Sequence, residues 1–163
     1  MSIVFIGMPS CGKSTVGVLL AKKLGYRFID SDLLIQEKTG MLLHEIIEQR
    51  GIDEFLRIEG EVNASIKDER AVIATGGSVI YSSEAMENLS DIGMVVYILI
   101  SYEEMEKRLG DYQHRGVVMP EGYTLRQMYN ERAVYYARYA NVVVPGAQDI
   151  SKTLDCIIKE LGY

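Results

Sequence analysis

The sequence predicts a three-layer α/β/α fold, in which a five-stranded parallel sheet lies between helices. Short apolar segments alternate with helical patterns along all 163 residues, without repeats or low-complexity tracts. These segments are rich in Val and Ile on both faces, as expected for strands covered on both sides. A glycine-bounded loop between the first strand and the first helix is the third observation, and its pattern is typical of phosphate binding.

The elements follow one another in a regular order. Helical spacing of apolar residues follows the first strand, Ser101 and Glu104 form a capping box, and Asp149 precedes an amphipathic final helix. Ligands in parallel sheets bind at the carboxyl ends of the strands, so functional residues should directly follow strands. The predicted strands are residues 3–6, 27–30, 71–74, 94–99 and 142–144.

Residues 7–15 read G-M-P-S-C-G-K-S-T and fit the pattern G-x-x-x-x-G-K-[ST]. A strand, loop and helix in this order aim backbone N–H groups and the positive end of the helix dipole at one point, which suits a polyphosphate. We expect Lys13 to reach the β- and γ-phosphates of a nucleotide and Ser14 to bind Mg²⁺. The alternative is a chance match in an ordinary strand–turn–helix. Cys11 is interpreted as a small filler of the loop rather than a nucleophile.

Composition indicates one globular domain over residues 1–163. The chain is 48% hydrophobic and 25% charged, and it has no apolar run near the ~20 residues that span a bilayer. Two cysteines do not suggest a disulfide scaffold, and a net charge of −6 argues against nucleic acid as a partner. An early strand leaves no room for a secretory signal. We expect a cytoplasmic monomer that binds small molecules and neither nucleic acid nor membrane.

Residues 109–123 break the alternation, with Gly110, Gly116, Pro120 and Gly122 and no clear period. Such a loop is functional or disordered. In a phosphoryl-transfer enzyme it would serve as a mobile lid that excludes water, and Arg115 within it favours this interpretation. A solvated surface loop is the alternative.

Two further motifs directly follow predicted strands. Asp30-Ser31-Asp32 follows the second strand, and Thr75-Gly76-Gly77 follows the third. Two acids at i and i+2 bring two carboxylates to the edge of the sheet, whereas the simpler interpretation is a helix N-cap by Ser31 or Asp32. Both interpretations can hold together.

These three strand-end motifs resemble those of shikimate kinase, a P-loop NTPase family related to nucleoside-monophosphate kinases, and the resemblance covers nearly the whole chain. It implies an Mg²⁺-dependent transfer from ATP to the 3-hydroxyl of shikimate, with an acceptor-binding region at about residues 31–67. It further implies that Asp30 helps to hold Mg²⁺, that Asp32 receives the hydroxyl and that Arg115 follows the transferred phosphate. The nucleotide contacts that it implies are Ser10, Cys11, Gly12, Lys13, Ser14, Thr15, Arg108, Arg115 and Pro145, and the acceptor contacts are Asp32, Gly76, Gly77, Ser78 and Arg132.

Arg132 also carries an argument of its own. It continues the helical face formed by Leu125, Tyr129, Tyr136 and Tyr139, which we interpret as core. An arginine on such a face needs an anion, because burying it alone is costly. That anion is either a substrate carboxylate, as the resemblance implies, or an internal acid.

Two positions depart from the family pattern on the acceptor side. The family has an arginine for the substrate carboxylate where this chain has Leu56, and a third glycine where it has Ser78. Arg57 is one residue late, which rotates it by about 100° around the helix. We keep Arg57 as a predicted acceptor contact, because its long side chain could still reach the pocket. The alternative is that Arg57 pairs with Asp53 or Glu61. The departures leave two other functions open, namely a kinase of another polyol or hydroxy acid and a non-catalytic nucleotide-binding domain.

Overall fold

A computed structural model describes residues 1–110 and 116–163 of the chain. The strands are β1 (Ser2–Ile6), β2 (Arg27–Asp30), β3 (Ala71–Ala74), β4 (Gly93–Leu99) and β5 (Val142–Pro145). The α-helices are α1 (Lys13–Leu24), α2 (Ser31–Thr39), α3 (Leu43–Arg50), α4 (Ile52–Ala64), α5 (Ser83–Ile92), α6 (Tyr102–Leu109), α7 (Leu125–Tyr139) and α8 (Ile150–Leu161). None of these helices combines the length and the apolar character that crossing a bilayer demands.

All five strands pair in parallel, in the order β2-β3-β1-β4-β5. The chain moves from β1 to β2 in one direction and from β3 to β4 in the other. Because such crossovers are right-handed, α1 and α5 lie on opposite faces of the sheet. The α/β fold with a parallel sheet between helices is therefore confirmed.

The predicted strands match the observed ones to within one residue at each end. β2 and β3 have the predicted bounds, while β1 and β4 each begin one residue earlier and β5 ends one residue later. The earlier starts have a common cause, since Ser2 pairs with Gly93 and extends the ladder between β1 and β4. Neither residue is apolar enough to belong to a strand by pattern alone.

A second, smaller apolar cluster lies beside the main core around the sheet. It is built by α2, α3 and α4, which follow β2 and precede β3 along the chain. The acceptor-binding region is predicted in this part of the sequence. Val118, which follows the residues that are not described, is buried in the same cluster and joins the second half of the predicted lid to these helices. The buried members of this cluster are Ile35, Ile46, Phe55, Ile58, Val62 and Val118.

The two edge strands, β2 and β5, have four residues each. Arg27 at the start of β2 forms an exposed ion pair with Asp68 at 3.2 Å. β5 ends with Pro145, which has no N–H to donate. Both outer strands are therefore short and carry features that interrupt further pairing.

Ser2 links β1 to the segment before β3, and its removal is expected to destabilise the fold. Its buried Oγ donates to the carbonyl of Asp68 at 2.6 Å and accepts from the N–H of Ala71 at 3.0 Å. In Ser2→Ala both backbone groups lose a partner, so the free energy of unfolding should fall by about 1–3 kcal/mol. Ser90→Ala, an exposed change in α5, should alter it by less than about 0.5 kcal/mol. Equal urea midpoints for the two variants would contradict this prediction.

Candidate active site

The loop between β1 and α1 has the backbone of a phosphate-binding loop. Gly7 and Gly12 have φ values of 148° and 100°, which favour glycine, and Ser10 also has a positive φ of 63°. A Cβ on Gly7 would lie 2.7 Å from the carbonyl oxygen of Ile98, so this position excludes side chains for two reasons. The loop then enters α1, whose first backbone N–H groups have no partner within the helix and point towards the loop.

Lys13 folds back over this loop. Its side chain is buried, and Nζ donates to the carbonyl oxygens of Gly7 at 2.8 Å and of Met8 at 2.9 Å. Cys11 Sγ lies 3.6 Å from the same ammonium and beneath the loop, in keeping with its interpretation as a filler. The ammonium is therefore held at the centre of the loop, where the phosphates of a nucleotide would lie.

Ser14 and Asp30 meet across the start of the site. Ser14 Oγ donates to Asp30 Oδ2 at 2.7 Å, and the pair is exposed. A hydroxyl and one carboxylate beside a phosphate site fit Mg²⁺, which prefers oxygen ligands and keeps several waters. Asp30 is also the N-cap of α2, because its Oδ1 accepts from the N–H of Asp32 at 3.0 Å. The sequence-based choice of Ser31 or Asp32 as this cap is therefore wrong: the cap lies one residue before Ser31, since Asp30 still has the extended backbone of the strand.

Asp32 points into the cavity with an oxygen that has no partner among the described residues. This oxygen, Oδ1, is fully buried. The pKa of Asp32 is raised to about 6, mainly by burial and also by the charge of Asp30, while Lys13 opposes the rise. The carboxylate form still predominates in neutral solution, so Asp32 can accept a hydrogen bond from a bound hydroxyl.

Glu59 is a second buried acid in the same cavity, and the sequence analysis did not select it. Ser78 Oγ donates to Glu59 Oε2 at 2.5 Å, while Oε1 has no partner among the described residues. The pKa of Glu59 is raised to about 7, mainly by burial. The hydrogen bond from Ser78 opposes this rise, the charge of Asp32 adds to it, and Arg132 and Lys13 oppose it. A signal was present in the sequence, because Glu59 lies on the apolar face of α4 at i+4 from Phe55.

Gly76 and Gly77 let these groups approach the backbone. A Cβ on Gly76 would collide with Glu59 Oε1 and lie 2.9 Å from Asp32 Oδ1. A Cβ on Gly77 would lie 3.0 Å from Arg132 Nη1. Any side chain at Gly76 would displace both carboxylates, so the two glycines keep the acids and the guanidinium close to one surface of the cavity.

Arg132 is buried on α7 with 1% of its surface exposed. Its Nη2 donates to the carbonyl oxygen of Val118 at 2.6 Å, and its Nε has no hydrogen-bond partner among the described residues. Over residues 1–110 and 116–163, no carboxylate lies within ion-pair distance of Arg132. The described structure therefore gives this guanidinium no internal acid as a direct partner, and it faces the cavity ready for an anion.

One cavity of about 620 Å³ brings most of the predicted site residues together. Residues of the phosphate loop and the side chains of Asp32, Glu59 and Arg132 line this same cavity. Its lining is Pro9, Ser10, Gly12, Lys13, Ser14, Thr15, Asp32, Leu43, Phe55, Glu59, Thr75, Gly76, Gly77, Ser78, Arg108, Gly116, Val117 and Arg132.

Arg108 also lines this cavity. Its Nε donates to Glu104 Oε1 at 2.6 Å within α6, and its buried Nη2 has no partner among the described residues. Pro145 is exposed at the end of β5 and is not part of the lining. Arg115 belongs to residues 111–115, which lie outside the described residues, so its role stays a prediction.

Arg57 does not enter the cavity. Its guanidinium is about half exposed and pairs with Glu54 at 2.7 Å and, even more closely, with Glu61. The one-residue shift along α4 therefore turns the side chain to the outer face, where acids one turn away hold it. The prediction that Arg57 contacts the acceptor is therefore wrong, and the structure contains the alternative, an ion pair with Glu61. Leu56 packs instead against the second apolar cluster.

Comparisons with known proteins point to one family. The family model for shikimate kinase matches residues 9–162. A shikimate kinase of Clostridium botulinum (strain Eklund 17B / Type B) is 35% identical over 158 residues, which cover 96% of this chain and 94% of that protein. The fold is similar to the crystal structure of shikimate kinase from Aquifex aeolicus vf5, with a TM-score of 0.87 and 30% identity over 99% of this chain and 96% of that one. Shikimate kinase from Acinetobacter baumannii in complex with shikimate gives a TM-score of 0.84 and 29% identity over 99% and 93% of the two chains.

Lys13→Ala is expected to weaken binding of MgATP by roughly 10- to 100-fold, because it removes charge-assisted hydrogen bonds of about 1.5–3 kcal/mol. Isothermal titration calorimetry measures the change. Lys22→Ala, an exposed change further along α1, provides the matched control and should leave the affinity unaltered. Equal affinities for the Lys13→Ala and Lys22→Ala proteins would contradict a phosphate-binding role for the loop.

Proposed function

The chain belongs to the shikimate kinase family, and we propose that it transfers the γ-phosphoryl group of ATP to the 3-hydroxyl of shikimate. The observation that carries this proposal is that Lys13 of the phosphate loop, Asp32 and Arg132 line the same cavity. A triphosphate, an alcohol and a carboxylate are the three groups that these side chains would recognise. The reaction transfers a group between two small molecules. We propose that it takes place in the cytoplasm and that the enzyme is a monomer.

On the nucleotide side, the loop amides and Lys13 would hold the β- and γ-phosphates. Mg²⁺ would be held by Ser14 directly and by Asp30 largely through water, and when bound it would neutralise charge on the phosphates. Arg108 Nη2 has no partner among the described residues and its side chain lines the cavity, which supports a contact with the adenine end of the nucleotide. Arg115 and Pro145 complete the proposed nucleotide contacts by resemblance alone.

On the acceptor side, Asp32 would accept the hydrogen bond of the reacting hydroxyl and Arg132 would bind the carboxylate. Phosphoryl transfer has a loose transition state, so positioning of the hydroxyl matters more than the basicity of the acid that holds it. A carboxylate with one buried oxygen that has no partner within residues 1–110 and 116–163 suits this task. Gly76 and Gly77 would let the acceptor lie close to the backbone, and Ser78 would narrow the site beside them.

The specific alternative is the same chemistry on another hydroxy acid. Leu56 stands where the family pattern has an arginine, and Arg57 pairs with acids on the outer face of α4. Arg132 is then the described cation best placed for a carboxylate. Shikimate stays the first choice because the relatives reported above, which are 29–35% identical over nearly the whole chain, are shikimate kinases.

The first test measures the release of ADP from MgATP with a coupled assay. We expect release that depends on added shikimate, with turnover of roughly 1–100 s⁻¹, the range usual for kinases. A panel of polyols and hydroxy acids at equal concentration serves as the control. Turnover with one of these and none with shikimate would select the alternative acceptor, and binding of ATP without turnover on any of them would indicate a non-catalytic domain.

Asp32→Asn separates catalysis from nucleotide binding. It keeps the shape of the side chain but removes the negative charge that receives the hydroxyl proton, so kcat should fall by roughly 10²–10⁴-fold. The dissociation constant for MgATP should change little. Asp53→Asn, at an exposed position of α4, is the matched control. Parallel losses in kcat and in MgATP affinity would mean that Asp32 mainly supports the fold.

A further inference from the structure

Glu59 is a buried acid whose direct partner is a neutral hydroxyl. Its side chain is 1% exposed and lies on the face of α4 that packs with Phe55 and Val62. Oε2 accepts from Ser78 Oγ, and the fully buried Oε1 has no partner among the described residues. A carboxylate in this environment depends on more distant charges to stay ionised.

Four groups act on Glu59 from the elements around it. Ser78 in the turn after β3 donates a hydrogen bond, and Asp32 at the start of α2 adds a like charge. Arg132 on α7 and Lys13 at the start of α1 are the two cations that favour its charged form. Neither cation is within ion-pair distance, and each already donates to backbone carbonyl oxygens.

Glu59 and Arg132 border adjacent residues of the same turn. An added Cβ on Gly76 would meet Glu59 Oε1, and one on Gly77 would lie 3.0 Å from Arg132 Nη1. A carboxylate bound to Arg132 would therefore lie close to Glu59. It would neutralise the cation that favours the charged form of Glu59 and add a negative charge beside it.

The two departures from the family pattern meet at this residue. The resemblance places an arginine at position 56, on the same helix as Glu59, and a glycine at position 78. Here Leu56 supplies no charge, and Ser78 supplies the hydrogen bond. A neutral donor stabilises a carboxylate less than a guanidinium does, and it cannot cancel the charge of a second carboxylate nearby.

We propose that binding of a carboxylate acceptor at Arg132 is coupled to uptake of one proton by Glu59, and that Ser78 sets the pH at which this coupling begins. The proposal rests on the proposed function, because it takes the acceptor to be a carboxylate. It makes Glu59 and Ser78 positioning residues for acceptor binding, and neither needs to touch the transferred phosphate.

The direction of the pH dependence follows from linkage. Burial raises the pKa of Glu59 to about 7 in the free protein, and the bound carboxylate raises it further. Well below this pH, Glu59 is protonated with and without acceptor, so affinity does not change. Above it, binding must bring in a proton, and KM for shikimate should rise by up to about tenfold per pH unit.

Calorimetric titration of the intact protein with shikimate at pH 8, in two buffers of different ionisation enthalpy, measures the proton directly. We expect uptake that approaches one proton per shikimate in the unmodified protein and none in Glu59→Gln. Glu61→Gln is the matched control, because Glu61 is exposed on the same helix, and it should retain the uptake. Uptake that persists in Glu59→Gln would overturn the proposal, since the proton would then go to Asp32 or elsewhere.

Ser78→Ala tests the same coupling without changing Glu59. Loss of the donor raises the pKa of Glu59, so the rise of KM should begin about half to one pH unit higher than in the unmodified protein. An unchanged onset would overturn the role of Ser78. Shikimate that binds without any proton uptake at pH 8 would overturn the coupling alone, whereas shikimate that neither binds nor turns over would overturn both the coupling and the proposed acceptor.

Discussion

Compensation of buried charge is the constraint on which the arrangement of this site depends. Lys13, Glu59 and Arg132 are all nearly inaccessible to solvent, and each lies against the same cavity. Lys13 and Arg132 donate hydrogen bonds to backbone carbonyl oxygens, and the hydroxyl of Ser78 donates to Glu59. Such partners hold the side chains in place without neutralising them. The cavity is therefore preorganised for anionic groups of its ligands.

The fold supplies this preorganisation through two separate cores. The sheet and its covering helices fix the phosphate loop and the turn after β3, while α2, α3 and α4 pack on their own cluster and carry Asp32 and Glu59. Val118 is buried in the second cluster, and its carbonyl oxygen accepts from Arg132. The cation proposed for the acceptor is thus tied to the chain that follows the predicted lid, so this part of the loop belongs to the wall of the site.

The sequence predicted the parts of the molecule that local pattern determines. Strand bounds, the phosphate loop and the acids at the end of β2 follow from short runs of residues, and the structure agrees with them closely. Contacts between distant residues were not predictable in this way. The hydrogen bond between Ser78 and Glu59 joins residues 19 positions apart, and no periodicity encodes it. Glu59 was overlooked because most helical acids are solvated, and Arg57 was misplaced because length was given more weight than the direction in which α4 turns the side chain.

The edge strands of the sheet limit how copies of the protein can associate through strand pairing. In the sheet that the structure describes, the edges to which a strand from another molecule could add are β2 and β5, and each has four residues. At the β2 edge, the ion pair between Arg27 and Asp68 lies at the first residue of the strand. At the β5 edge, the last residue is Pro145, which cannot donate a backbone hydrogen bond. The sheet is thereby protected from templated growth, and crowding in a concentrated solution should favour separate molecules over ribbon-like aggregates.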